Sequence, residues 1–473
     1  MTFQSVEFLL FFVLVFILYW TLCKRSRLLQ NALIVLASLM FYGYWDWRLL
    51  GLLLITAFST YLAGGLMSKA SNEYVRKTIS VSAIVLNLGI LFYFKYFNFF
   101  VESFTDAFSL LGIRVNSSTL NIILPVGISF YTFSALSYSI DVYSRKIEPT
   151  KDIIAYLAYV TFFPSILSGP ISRANKQLPQ YFKRRDFVYA DAVESCIMIL
   201  WGAIMKLCLA DRLGIYVDAV YDNVQQHTGT TLLFTSVMYT LQIYADFAGY
   251  SLMAIGFGKL LGINLQENFI RPYFAKTLTD FWRRWHISLT TWFRDYIYFS
   301  LGGNRCSKGR WVFNTMTVFV VSGLWHGAAY AFLIWGGLHG LGMVLERFIY
   351  GEKLKKMSNL LSVSNILRLL VTFAFVNFAW IPFRVNNMSD IVTIFSKIFS
   401  NVGSLYIDVN TLSMAVIALL LVLLKDISDE YGWKISLLKS TNRPIKYLTF
   451  VLLVCFVLAF GVLNGGSFIY FQF

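Results

Sequence analysis

Long apolar runs alternate along the chain with short polar connections, and that alternation is the first thing the sequence states. Runs near Val6–Cys23, Leu28–Tyr44, Leu49–Met67, Ile79–Phe100, Ile122–Ile140 and Ala192–Ala210 fill much of the first half. Others follow near Leu232–Phe257, Val312–Trp325, Ala328–Leu345, Ile366–Phe383, Leu412–Leu424 and Tyr447–Leu463. Most approach the length that crosses roughly 30 Å of hydrocarbon, although several are short for a full crossing. They are continuous rather than two-residue alternations, so they predict helices and not barrel strands. Ile153–Leu167 is a further candidate, tilted or re-entrant. The expectation is an all-α integral membrane protein with about 11–13 spanning or re-entrant helices. With no fixed-period repeat and no Gly/Ser linker, residues 1–473 are expected to form a single membrane domain.

Composition agrees. The 473 residues are 57% hydrophobic and 14% charged, well below the quarter that a water-facing surface carries, so most of the chain faces lipid. The net charge of +15 does not point to nucleic acid, because the basic residues sit in short loops between apolar runs. "KRSR" (Lys24–Arg27), "SKASNEYVRK" (Ser68–Lys77) and "SRKIEPTK" (Ser144–Lys151) follow the first, third and fifth runs. The intervening connections are neutral or slightly acidic, which predicts an extracytoplasmic N-terminus. The first run lacks a basic n-region and a small-residue cleavage site, so it reads as a retained helix. Five cysteines show no metal or redox spacing and are assigned no chemistry.

Two stretches break the rhythm of span and short loop: Ser168–Phe187, basic with two prolines, and Gly258–Trp311. Their basic residues place both at or near the cytoplasmic face. In the second, Thr279 is the expected N-cap of an aromatic helix. On one continuous helix, Trp282, Trp285, Leu289, Trp292, Phe293 and Tyr296 share about 100° of arc, with His286 at the edge of that stripe. Arg283 and Arg294 share a flank. Two readings fit: an interfacial helix whose arginines meet lipid phosphates, or a helix that turns His286 inward while Arg283, Arg284 and Arg294 meet an anionic ligand. "SLGGNR", which contains Asn304, is either a close backbone approach to a ligand or a plain turn.

The four histidines differ in setting. His227 lies in a polar loop and is expected to be exposed; His339, between glycines in an apolar run, is expected to hydrogen-bond across a helix interface. His326 stands in "FVVSGLWHGAAYAF", beside Trp325, where a buried imidazole requires a reason. Imidazole accepts and returns a proton near neutral pH, and burial favours the neutral form that a general base needs. With no GxSxG elbow, no HExxH and no metal-ligand set, a histidine acting directly on a hydroxyl fits best.

"DFWRRWHISLTTWFRDYIYFSLGGNR" (Asp280–Arg305) and "GLWHGA" (Gly323–Ala328) resemble the membrane-bound O-acyltransferase family. The resemblance is closest to its bacterial branch, typified by the alginate O-acetyltransferase membrane subunit. "LPVGISFYTFSALSYSIDVY" (Leu124–Tyr143), "FFPSILSGPISR" (Phe162–Arg173) and "QIYADFAGYSLMAIG" (Gln242–Gly256) match the same branch in order. The likeness covers most of Met1–Glu346, with its motifs concentrated in residues 124–346.

It implies a helical bundle whose cytoplasmic and extracytoplasmic funnels meet at the family histidine, His326, with His286 as the second family histidine. It also implies acyl transfer from a cytoplasmic thioester, acetyl-CoA being the expected donor, with no tightly bound cofactor and no metal. Implied partners are a periplasmic hydrolase-like acetyltransferase, a polysaccharide acceptor and the lipid of a bacterial cytoplasmic membrane. Weaker expectations place Arg283, Arg284, Arg294, Trp325 and Asn304 against substrate. Related sequences carry a carboxylate where this chain has Leu252, so no role is extended there, and Asp246 is expected to be a buried structural partner. The alternatives are D-alanyl transfer from a carrier protein to teichoic acid, and a non-catalytic transporter or export channel.

Overall fold

The computed structural model describes residues 1–112, 120, 124–351, 362–385, 387–433, 443–463 and 468–469. They form helices joined by turns and loops, with no strand among the described residues. Each predicted apolar run coincides with a helix. Among the described residues, six helical stretches are long and apolar enough to cross a membrane: Arg27–Lys69, Glu73–Leu110, Tyr189–Tyr221, Tyr330–Tyr350, Val363–Arg384 and Val409–Tyr431. Arg27–Lys69 contains two predicted runs, because Asp46 accepts from the backbone of Arg48 and a short 3-10 turn divides Arg27–Asp46 from Leu50–Lys69. Val6–Thr21 and Pro444–Phe460 are shorter apolar helices, and Ile128–Tyr143, Gly229–Leu260 and Lys308–His326 fill the remaining runs. Residues 122–123 of the fifth predicted run lie outside the described residues. The chain is a multi-pass membrane protein.

The exception is Ile153–Leu167, which breaks into Ile153–Val160 and Phe163–Ile166 at Thr161–Phe162, before Pro164. Eight residues of helix rise about 12 Å, too little to cross, so this stretch is not a span.

The chain packs as two compact units. In the first, Met1–Cys196 with Ala254–Gln266, Phe8, Phe12, Phe41, Phe163 and Phe257 interlock as one aromatic cluster. The basic loop is pinned to the helix Arg27–Asp46: Gln30 exchanges hydrogen bonds with the backbone of Arg185, and Asn31 donates to Tyr181 O at 2.8 Å. Lys183 and Arg184 remain exposed.

The second unit, Ile197–Met253 with Glu267–Phe473, holds every candidate site residue. Its tightest element is the hairpin of Lys308–His326 and Tyr330–Tyr350. A Cβ added to Gly323 would meet Phe332 O at 2.2 Å, and one added to Gly336 would meet Phe319 O at 2.3 Å. The two backbones therefore approach to glycine distance, which fixes where the first helix ends: at His326. A second tie is a buried ion triad, in which Lys206 reaches Asp246 at 2.6 Å and Asp211 at 2.7 Å. Lys206 sits in a π-helical segment, Ile204–Ala210, and Asp246 also accepts from Ile469 N at 2.8 Å.

Candidate active site

The aromatic stretch around His286 is not the single helix that its periodicity predicts. It forms two seven-residue helices, Leu278–Arg284 and Ile287–Phe293, separated at Trp285 and His286. His286 occupies the left-handed region (φ 41°, ψ 53°), which a continuous helix excludes. The N-cap is Thr277, whose hydroxyl accepts from Asp280 N at 3.0 Å, and not Thr279. Thr279 instead donates to Glu346 at 2.6 Å, and the same carboxylate accepts from the backbone of Leu278 and Thr279. The first three N–H groups of the helix are thereby satisfied from outside it.

The break is held by a loop that precedes it in the sequence. Ile270 N donates to Arg284 O at 3.0 Å, and Ile287 N donates to Asn268 O at 2.9 Å. The side chain of Asn268 lies within hydrogen-bond distance of His286 Nδ1 (3.1 Å), Ser288 N (3.2 Å) and Ser288 Oγ (2.9 Å) through one oxygen, Oδ1. Its Nδ2 donates to Ser251 Oγ at 3.2 Å. Asn268 therefore caps the second short helix from across the fold, a task that a residue in the left-handed region cannot perform for itself.

This clamp brings the two candidate histidines together. The rings of His286 and His326 are 6.4 Å apart, and Trp325 touches both, at 5.9 Å and 5.0 Å. Phe247 closes on His286 at 4.6 Å, while Trp335 and Phe383 flank His326 at 4.9 Å and 5.1 Å. His286 is 1% exposed and His326 3%. Burial pushes the His286 imidazole down from its usual 6.5 to about 3, so it is neutral at physiological pH.

The other candidates spread out. Arg283, Arg294 and Asn304 are exposed, and Arg294 pairs with its neighbour Asp295 at 2.7 Å. Arg284 is committed to carboxylates, bonding Asp280 at 3.1 Å and Glu430 at 2.9 Å. Gly302 and Gly303 both take positive φ, as a tight turn requires. His227 is half-buried against Tyr406 rather than exposed. His339 is fully buried among Trp282, Trp335 and Phe375; in place of the expected hydrogen bond, its nitrogens have no partner among the described residues. Asp246 has the buried structural partner expected of it, Lys206. The five cysteines are all free.

Sequence reasoning missed Asn268, Ser288, Phe247 and Glu346. No motif marks Asn268, which lies in a loop 18 residues before its partner.

Two buried imidazoles, with ring centroids 6.4 Å apart, lie in a multi-pass helical membrane protein. The sequence comparisons specify which kind. The sequence model of the MBOAT, membrane-bound O-acyltransferase family matches residues 39–389, extending past Glu346, and the chain belongs to that family. It is a membrane O-acyltransferase. It is 36% identical to the probable alginate O-acetylase AlgI of Pseudomonas aeruginosa, over 85% of this chain and 75% of that protein. It is 32% identical to the peptidoglycan O-acetyltransferase of Helicobacter pylori, over 77% of this chain and 72% of that one. It is 30% identical to the teichoic acid D-alanyltransferase of Bacillus subtilis, over 56% and 69%.

Proposed function

We propose that the protein transfers an acetyl group from a cytoplasmic thioester, acetyl-CoA, across the bacterial cytoplasmic membrane for O-acetylation of a cell-surface polysaccharide. The observation that carries this reading is the juxtaposition of His286 and His326, both buried, across Trp325. Identity over most of the chain to proteins named as O-acetylating enzymes supports acetyl as the group. In this reading His326 takes the proton of the attacking hydroxyl as its oxygen bonds the thioester carbonyl carbon. The tetrahedral intermediate then collapses, the C–S bond breaks, and the thiolate leaves with the proton that His326 returns. His286 orients or polarises the reacting groups. Exposed Arg283 and Arg294 suit the phosphates of a donor or of lipid. A periplasmic acetyltransferase of hydrolase type accepts the group for delivery to the polymer, and the N-terminus is extracytoplasmic.

The test is thiol release by purified protein supplied with acetyl-CoA or with a D-alanyl carrier protein. Acetyl-CoA is expected to be consumed, and exclusive use of the D-alanyl carrier would replace the acetyl reading. His326→Ala is expected to lose about 10²–10⁴-fold in rate while remaining folded. Wild-type turnover in that variant would remove His326 from the chemistry.

A further inference from the structure

We propose that Asn268 is a positioning residue that holds His286 as its Nδ1–H tautomer, making Nε2 the nitrogen that accepts from the acyl acceptor. The inference rests on the acyltransferase reading for what the acceptor is, a hydroxyl, but the Nδ1 proton follows from hydrogen-bond logic and the bare Nε2 from the neutrality that burial imposes on the ring. A backbone N–H can only donate. Ser288 N lies 3.2 Å from the side-chain atom of Asn268 that faces it, so that atom is the oxygen, Oδ1. The opposite end of the amide, Nδ2, points at Ser251 Oγ, which accepts, so both ends of the side chain agree. His286 Nδ1 stands 3.1 Å from the same oxygen. Two lone-pair atoms do not share a hydrogen bond, so Nδ1 carries the proton, and in the neutral ring Nε2 then carries the lone pair.

That assignment separates the two tasks left open for His286. Polarising a thioester carbonyl takes a donor, and the bare Nε2 of a neutral ring is not one. Orienting a hydroxyl takes an acceptor, and Nε2 is one. His286 therefore acts on the acceptor side of the reaction. Asn268 does for it what the third member of a nucleophile–base–orienter set does for its base: it fixes the tautomer and the ring plane. The backbone of Asn268 adds to this by receiving Ile287 N, so one residue supports both the left-handed backbone and the ring of His286.

Among the described residues, these titratable and charged groups stand around His286. His326 is the titratable ring facing His286; Asp246, beside Phe247, is held by Lys206; Arg284 on the same segment is held by Asp280 and Glu430.

Nitrogen-15 spectra of the full-length protein, labelled at its four histidines, read the tautomer directly. The His286 signals are identified by their loss in His286→Asn. The expected result at pH 7 is a protonated Nδ1 and a bare Nε2. A protonated Nε2 would overturn the proposal whatever the enzyme acylates, so this arm stays decisive even if the acyltransferase reading fails. Two variants provide the functional arm. Asn268→Asp keeps an acceptor oxygen and is expected to remain within about tenfold of wild type. Its carboxylate favours the imidazolium, so the acid limb of the pH–rate profile moves to higher pH. Asn268→Leu removes the acceptor and is expected to lose about 10²-fold in kcat with KM for the acyl donor nearly unchanged. Wild-type kcat in folded Asn268→Leu, or an Asn268→Asp variant as inactive as Asn268→Leu, counts against the assignment.

Discussion

Burial of the His286 ring carries a consequence for stability. Its folded-state pKa is about 3 because burial disfavours the charged ring, while the unfolded chain titrates near the ordinary value of 6.5. Between those values the unfolded state binds the extra proton, so the contribution is full above pH 6.5 and is lost as pH falls toward 3. Thermal unfolding of the detergent-solubilised protein is expected to shift to lower temperature between pH 7 and pH 4. The shift should shrink in His286→Asn, which has nothing to protonate there. An equal acid shift in both proteins would assign the effect to other groups. The sequence shows this residue as an imidazole beside an aromatic stripe in a family motif, and the structure adds its burial beside His326. It did not mark Asn268, because a hydrogen bond between a loop asparagine and a histidine 18 residues later leaves no periodic trace.

At the scale of elements, the existence of each apolar helix was legible, since length and continuous hydrophobicity suffice to specify it, but the bounds were not: Ile79–Phe100 extends to Glu73–Leu110. The break at Trp285–His286 was not. The aromatic spacing is that of one helix, and the interruption comes from tertiary groups, Asn268 against one short helix and Glu346 against the other. The hairpin that ends at His326 is more exposed to a single substitution. Gly336→Ala places a methyl group 2.3 Å from Phe319 O, a backbone atom that yields only if the helices part. A loss of about 1–3 kcal/mol is expected from this overpacking, together with reduced acyl transfer as His326 moves. Gly337→Ala, which meets nothing within 4 Å, is the control and should leave both melting and turnover unchanged. Equal behaviour of the two variants in thermal unfolding would show that the close approach is not critical.

For the whole chain, the quantity to establish is orientation. The basic connections predict that Lys24–Arg27 and Lys183–Arg185 lie on the cytoplasmic side. Arg184 is exposed while its neighbour Arg185 is anchored by Gln30 and Asn31, so Arg184→Cys presents a thiol without disturbing that anchor. In a background without the native cysteines, it should react with an impermeant maleimide only after the membrane is opened. Labelling of intact cells would reverse the assigned topology. The family was legible from ordered motifs through Glu346, and the match continues to residue 389. In the sequence the later helices are legible only as apolar. Their polar contributions, such as Glu430 binding Arg271 and Arg284, are long-range pairs that hydropathy does not encode.

The left-handed backbone at position 286 also bears on how this site can change over many generations. Asparagine, aspartate and glycine adopt that conformation with less strain than other residues, and β-branched side chains resist it most. A library of all residues at position 286, scored for protein abundance, is expected to favour asparagine and glycine over alanine, glutamine and valine. Of the two favoured residues, asparagine is the one that keeps a neutral hydrogen-bonding side chain. An amide in place of this imidazole would keep the backbone conformation but give up the ring's contacts with Phe247 and Trp325, so packing as well as activity would decide whether such a variant survived.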